Sequence, residues 1–142
     1  MGERDELTEA VIGAAIEVHR IMGPGLLESV YQACLEHELG LRSSVCESQA
    51  KLPVVYKGKI VKDELAMDIY FPTRLVVELK AVEKLLPIPE AQLLTYLRLT
   101  KTRVGLLINF NVRLLKDGIK RGTLTLLQTD FPLCCFSLCL CQ

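Results

Sequence analysis

The stretch from Met67 to Tyr96 constrains this chain more than any other. It reads Met67-Asp68-Ile69-Tyr70-Phe71, then Pro72-Thr73-Arg74, then Leu75-Val76-Val77-Glu78-Leu79-Lys80, and later Pro87-Ile88-Pro89-Glu90-Ala91-Gln92-Leu93-Leu94-Thr95-Tyr96. Two short apolar runs around a Pro-Thr turn predict a β-hairpin. With Pro72 to Arg74 as the connection, Phe71 pairs with Leu75, and Asp68 falls opposite Glu78. Side chains alternate along a strand, so Lys80 shares a face with Glu78, while Val77 and Leu79 point the other way. Two facing carboxylates repel and destabilise a bare sheet. A divalent cation between them removes that repulsion, so the stretch reads as a metal site with a lysine beside it.

This order of residues, Asp-x9-Glu-x-Lys on adjacent strands, resembles the core of the PD-(D/E)xK nuclease superfamily. Gln92 and Tyr96 extend the likeness, because nucleases related to the RecB family carry Gln-x-x-x-Tyr on the helix after the Glu-x-Lys strand. Positions four apart lie on one helix face, which lets both side chains look toward one site. A Glu-x-Lys by itself occurs often by chance. The ordered set on strand, strand and helix is far more specific. The resemblance implies an α/β, restriction-endonuclease-like fold, with a mixed central β-sheet flanked by α-helices.

Half of the 142 residues are apolar, enough for the core of one domain. Residues 1–122 read as that domain, and residues 123–142 as an apolar, Cys-rich extension with room for an added strand. Formal charge sums to zero, so there is no global basic signature of nucleic-acid binding. The charge is nevertheless polarised. Acids dominate the first fifty residues, whereas Lys51, Lys57, Lys59, Lys62, Lys101, Arg103, Arg113, Lys116, Lys120 and Arg121 follow later. The charged opening lacks the apolar core of a signal peptide, and no stretch suits a membrane span. The chain therefore reads as cytoplasmic, and its six cysteines as free thiols.

Leu7, Val11, Ala14, Ala15, Val18 and Ile21 recur at helical spacing and predict a first amphipathic helix. Gly23-Pro24-Gly25 ends it. A second helix is expected from about Leu26 to Leu39 with Gly40 as its cap, its apolar side carrying Leu27, Val30, Tyr31, Cys34, Leu35 and Leu39. Leu52 to Tyr56 contains a proline and predicts an edge strand, with Lys57-Gly58-Lys59 turning into Ile60-Val61. Pro87 and Pro89 precede a third helix, which places Ala91, Leu94, Leu97 and Arg98 on one side and Gln92, Tyr96 and Leu99 on another. Val104 to Phe110 reads as a strand buried on both faces, joined to the hairpin by a parallel crossover. A final strand is expected from about Ile119 to Leu127.

Gly25-Leu26-Leu27-Glu28-Ser29-Val30-Tyr31 brings the resemblance closer. It fits the Gly-x-x-Glu-x-x-Tyr signature of a small bacterial and archaeal family placed within this nuclease-like superfamily. Val77-Glu78-Leu79-Lys80-Ala81, Ala91 to Leu97 and Gly105 to Asn111 look like further segments of that family in order. Many relatives complete the metal site with an acid on an early helix, and Glu28 resembles it. The implied chemistry is Mg2+- or Mn2+-assisted hydrolysis of phosphodiester bonds in nucleic acid, DNA before RNA. Asp68, Glu78 and Glu28 would be the metal ligands, with Lys80 and Gln92 completing the catalytic set. Tyr96 and Tyr31 would be the substrate-binding residues.

Each residue also has a plainer reading. Asp68 and Glu78 are charges that guard a sheet edge, Glu28 is a first-turn acid favoured by the helix dipole, and the two tyrosines fill the core. Four polar residues converging on an apolar sheet favour the site. The extension, Leu124 to Cys141, departs from the family pattern and lacks the Cys-x2-Cys spacing of structural zinc. An exposed apolar tail of that kind suits a homodimer or protein partner. The competing function is a nuclease-like module that binds nucleic acid or protein without cutting.

Overall fold

The computed structural model describes residues 5–125, so most of the Cys-rich extension, and the end of the final strand expected to reach Leu127, lie outside the described residues. The element order is α1 (Glu6–Met22), α2 (Glu28–Leu41), β1 (Glu47–Tyr56), β2 (Lys59–Phe71), β3 (Leu75–Lys80), α3 (Pro87–Thr100), β4 (Val104–Asn109) and β5 (Ile119–Thr123). The five strands form one sheet in sequence order. All neighbours are antiparallel except β3 and β4, which are parallel and joined across α3. This is the mixed α/β sheet with flanking helices that the sequence implies.

Asp5 starts α1 by accepting the Leu7 amide at 3.2 Å, which satisfies one of the open N-terminal donors. Gly23 at φ +70° and Gly25 at φ +97° then turn the chain. Leu7, Val11, Ala14, Ala15 and Val18 are buried as expected, but Ile21 is 63% exposed because α1 runs past the end of the core. The second helix begins two residues later than expected, and Gly40 lies inside its last turn. Ser43 takes the left-handed position instead (φ +59°). The Ser44 amide donates to the Leu39 carbonyl and the Ser43 amide to that of Gly40, which is the Schellman pattern.

The first strand starts at Glu47, five residues before the apolar run, because edge position lets polar residues continue a ladder. Pro53 falls at a register shift between Leu52 and Val54, where its missing N–H costs no ladder bond. Lys57 (φ +48°) and Gly58 (φ +79°) make the tight turn into β2, matching the two-residue turns that suit strand twist. Pro87 and Pro89 lie within the first turn of α3 rather than before it, where amides have no helical partner anyway.

Two apolar clusters sandwich the sheet. Side chains of α1 and α2 pack with Ile69, Phe71, Leu75, Val77, Leu79, Leu106 and Ile108. On the opposite face α3 packs Leu93, Tyr96 and Leu97 on Met67, Val76 and Leu107. The buried stripe of α3 is therefore Leu93, Tyr96 and Leu97, not the Ala91-Leu94-Leu97 side. Gly105 permits this close approach: a Cβ there would lie 2.7 Å from Leu93 Cδ1.

Candidate active site

The hairpin forms in the expected register, with Phe71 paired to Leu75, Tyr70 to Val76 and Ile69 to Val77. One step further the strands part. The Asp68 amide donates to Glu78 Oε1 at 3.2 Å, and the Leu79 amide donates to Asp68 Oδ2 at 2.8 Å. Carboxylates thus occupy places that ladder carbonyls would take. Residues two apart in a regular strand share a face, yet Met67 packs on the α3 side and Ile69 on the α1–α2 side. The β2 backbone must twist sharply at Asp68. Opposite it, Gln49 has φ +48°, and the β1–β2 pairing steps from Ser48–Ile69 to Ala50–Met67 over the Gln49–Asp68 level. The site is a built-in irregularity of three strands.

Glu78 is 4% exposed. Burial pushes its carboxyl up to about 8, and the neighbouring Asp68 charge pushes the same way; the Asp68 amide and the Lys80 ammonium pull back. Burial likewise raises Glu28, against the pull of Lys80 and with the push of Asp68. Glu28 therefore senses the same charges, from the first turn of α2. Lys80 is the last residue of β3, half-buried beside Asn109 of β4. Its carbonyl accepts the Phe110 amide at 2.8 Å.

The third helix adds Tyr96 and Gln92. Burial raises the Tyr96 phenol, and Glu78 and then Asp68 also act on it, with the Gln92 bond opposing. Gln92 is exposed and donates to the Tyr96 hydroxyl at 2.8 Å. The helical spacing that linked the two in sequence is thus realised as a direct contact, and Gln92 reaches the site through Tyr96.

Tyr31 is placed differently from its expected role as a substrate contact. It is fully buried, stacked on Phe110 with ring centroids 4.5 Å apart. Its hydroxyl donates to the Gly23 carbonyl and accepts the Leu26 amide at 3.1 Å. A side chain with no exposed surface cannot touch a polymer, so Tyr31 instead braces the turn that delivers Glu28. The Gly-x-x-Glu-x-x-Tyr spacing acquires a mechanical meaning: one helical turn separates the acid from its brace.

Sequence reasoning missed the groups around Asp68. Gln49 Nε2 donates to Asp68 Oδ1 at 3.1 Å and to Gln32 Oε1 at 2.8 Å. Gln32 in turn donates to the Asp68 carbonyl at 3.1 Å and to Glu36 at 2.9 Å. Two glutamines on a helix and an edge strand carry no periodic signal, and nothing local joins them to Asp68. Asn109, 3% exposed, clamps the loop after Lys80 by accepting the Val82 amide (3.1 Å) and donating to the Val82 carbonyl (2.8 Å).

The donor set is made of hard oxygens, the type preferred by Mg2+ and Mn2+. A buried carboxyl that resists ionisation beside a second carboxylate is the electrostatic condition a dication relieves. The residues present fit such an ion, with Asp68 and Glu78 as its centre. Among the described residues no three His, Cys, Asp or Glu side chains are gathered closely enough to form a ready cluster, so Glu28 stands at its edge. A separate groove between α3 and β5, lined by Leu93, Leu94, Leu107 and Gly122 among others, contains none of these candidates. Among the described residues no helix is long and apolar enough to cross a membrane.

No curated protein and no solved structure matches the chain. A family profile does, over residues 5–122, and that span takes in α1, both acids of the parted hairpin, Lys80 and the Gln92–Tyr96 pair. Sequence order, sheet topology and the match agree, and the chain belongs to the PD-(D/E)XK nuclease superfamily.

Proposed function

We propose that this protein is a Mg2+- or Mn2+-dependent nuclease that hydrolyses phosphodiester bonds of DNA. Membership of a nuclease superfamily implies nucleic acid as the substrate class and a divalent metal as the usual helper. The observation that carries the reading is the buried Glu78 carboxyl, raised to about 8 beside Asp68 where β2 leaves β3. Such a group is poorly placed for stability and well placed to bind a cation.

Asp68 and Glu78 would hold the ion, with Glu28 and the Leu79 carbonyl as further oxygen donors. When bound, it supplies Lewis-acid polarisation of the scissile phosphate and a more acidic water. The Lys80 ammonium orients that water and offsets the charge that develops on the phosphate. Water adds to phosphorus, the P–O bond to one sugar breaks, and the leaving oxygen takes a proton. Tyr96 contacts the substrate backbone, and Gln92 holds the Tyr96 hydroxyl in place. The Gly25-Glu28-Tyr31 spacing supports a place in the Gly-x-x-Glu-x-x-Tyr family, and the reading is of a cytoplasmic enzyme. A homodimer or protein partner would engage the Cys-rich extension.

Purified protein with Mg2+ or Mn2+ should cleave DNA, and Glu78→Ala or Lys80→Ala should abolish cleavage while circular dichroism stays native. Equal cleavage by all three proteins would sink the assignment. The zero net charge of the chain favours a second reading, a module that binds nucleic acid or protein without cutting. Calorimetric titration with Mn2+ separates the two: the nuclease binds the ion and Glu78→Ala does not, whereas the module binds none at this site.

A further inference from the structure

The hairpin of β1 and β2 is longer than the sheet it belongs to. The second strand runs from Lys59 to Phe71, but β3 pairs with it only at Ile69, Tyr70 and Phe71. From Lys59 to Met67 its ladder partner is β1 alone. The inner part of this two-stranded ribbon rests on the α3 side through Ala50, Leu52 and Leu65. Among the described residues nothing covers the outer part: Tyr56 is 58% and Ile60 61% exposed, with Val55 and Val61 similarly open.

Charge at the tip of the ribbon is one-sided, with Asp63 and Glu64 following on β2 below it. From Ala50 to Lys62 the sequence holds four lysines, Lys51, Lys57, Lys59 and Lys62, and no acid. Lys57, Lys59 and Lys62 are exposed, and the Lys57 ammonium sits 5.5 Å from the Tyr56 ring centroid. In a chain of zero net charge, this concentration is local. Exposed lysine-flanked apolar tips are also awkward for an idle surface, because an open hairpin edge invites association.

We infer that the β1–β2 ribbon is a DNA-docking arm that enters the major groove of duplex DNA and leads it to the acids at its base. The inference rests on the nuclease reading for the nature of the substrate. The B-form major groove is about 12 Å wide and admits a two-stranded β-ribbon, whereas the A-form groove of duplex RNA is too narrow. Lys57, Lys59 and Lys62 meet phosphates flanking the groove, and Val55 and Ile60, a cross-strand pair on one face, meet base edges and thymine methyl groups. Continuity with the site supports this use. The same β2 strand that carries Lys59 at its tip carries Asp68 at its root, nine positions on, roughly 30 Å at strand rise. That length spans about nine base pairs of duplex. Substrate shorter than this cannot engage tip and acids together.

The test uses the full chain and a 20-base-pair duplex, comparing wild type with K57Q/K59Q/K62Q. Binding is read by fluorescence anisotropy in chelator across a salt series, and cleavage separately in Mn2+ at saturating duplex. Each lost phosphate contact lowers the slope of log affinity against log salt by about 1, so the triple variant should lose a slope of about 3. It should still cut at saturation. Unchanged affinity and slope with normal cleavage overturn the arm and leave the nuclease reading standing. A lost slope with no cleavage by either protein supports the arm and removes the nuclease. Unchanged DNA binding with a shift from dimer to monomer in sedimentation overturns the arm in favour of self-association through the tip.

Discussion

The main-chain amide of Asp68 donates to the side-chain carboxylate of Glu78 at 3.2 Å, one residue beyond the last regular pair of the β2–β3 ladder. One acid has become the backbone acceptor for the strand that bears the other. This holds the two carboxylates together while both strands are parted, and it makes the local structure depend on the charge of Glu78.

That dependence has a sign. The folded-state Glu78 carboxyl titrates near 8, above its ordinary 4.5, so between these values the folded state holds a proton that the unfolded state has released. Stability must therefore fall as pH rises through this window, by at most about 1.4 kcal/mol per pH step of one. In chelator, thermal unfolding should show a melting temperature that declines from pH 5 to pH 8, and Glu78→Gln should flatten the decline. A profile that rises over this range would remove Glu78 as the buried, proton-holding acid.

Gln49 holds Asp68 Oδ1 from a left-handed backbone position. Non-glycine residues in that region cost of order 1–2 kcal/mol. Gln49→Gly should leave stability within about 1 kcal/mol of wild type, since backbone relief offsets the lost bonds. Mn2+ affinity and activity should nevertheless fall roughly 10–100-fold, the usual cost of removing a group that orients a metal ligand. Calorimetry and denaturant melts on the same preparation separate the two effects.

Tyr31→Phe keeps the stack on Phe110 and removes only the hydroxyl that ties Gly23 to Leu26. Losing these partly buried bonds should cost about 1 kcal/mol in urea unfolding. Cleavage should weaken through a higher metal requirement rather than a loss of substrate affinity, because Tyr31 braces the turn before Glu28. Unaltered Mn2+ dependence would show that the turn holds without it.

Asn109→Ala breaks the paired contacts to the Val82 amide and carbonyl. Expected effects are a stability loss of about 2–3 kcal/mol and faster hydrogen exchange confined to the segment after Lys80. Asn109→Asp should restore only the acceptor half, giving an intermediate loss.

Much of the site was legible in the chain before folding. Period-two alternation and a three-residue turn were enough to pair Phe71 with Leu75 and to bring Asp68 to the level of Glu78, because register in a tight hairpin follows from turn length. Helical spacing was enough to join Gln92 to Tyr96. These are short-range relations, and the backbone geometry of a strand or helix determines them almost without context.

Whatever depended on packing between distant elements was not legible. The buried stripe of α3 turned toward Leu93 because Gly105 opens β4 beneath it, and Tyr31 went to the core because Phe110 offers a stacking face. Gln49 and Gln32 reached Asp68 only through the irregular pairing of β1 with β2. The acids and the ammonium were local choices of the sequence. The burial of Glu78, and with it its raised affinity for a proton, came from the two apolar layers that close over the sheet. Desolvation belongs to the assembled structure and to no single segment of chain.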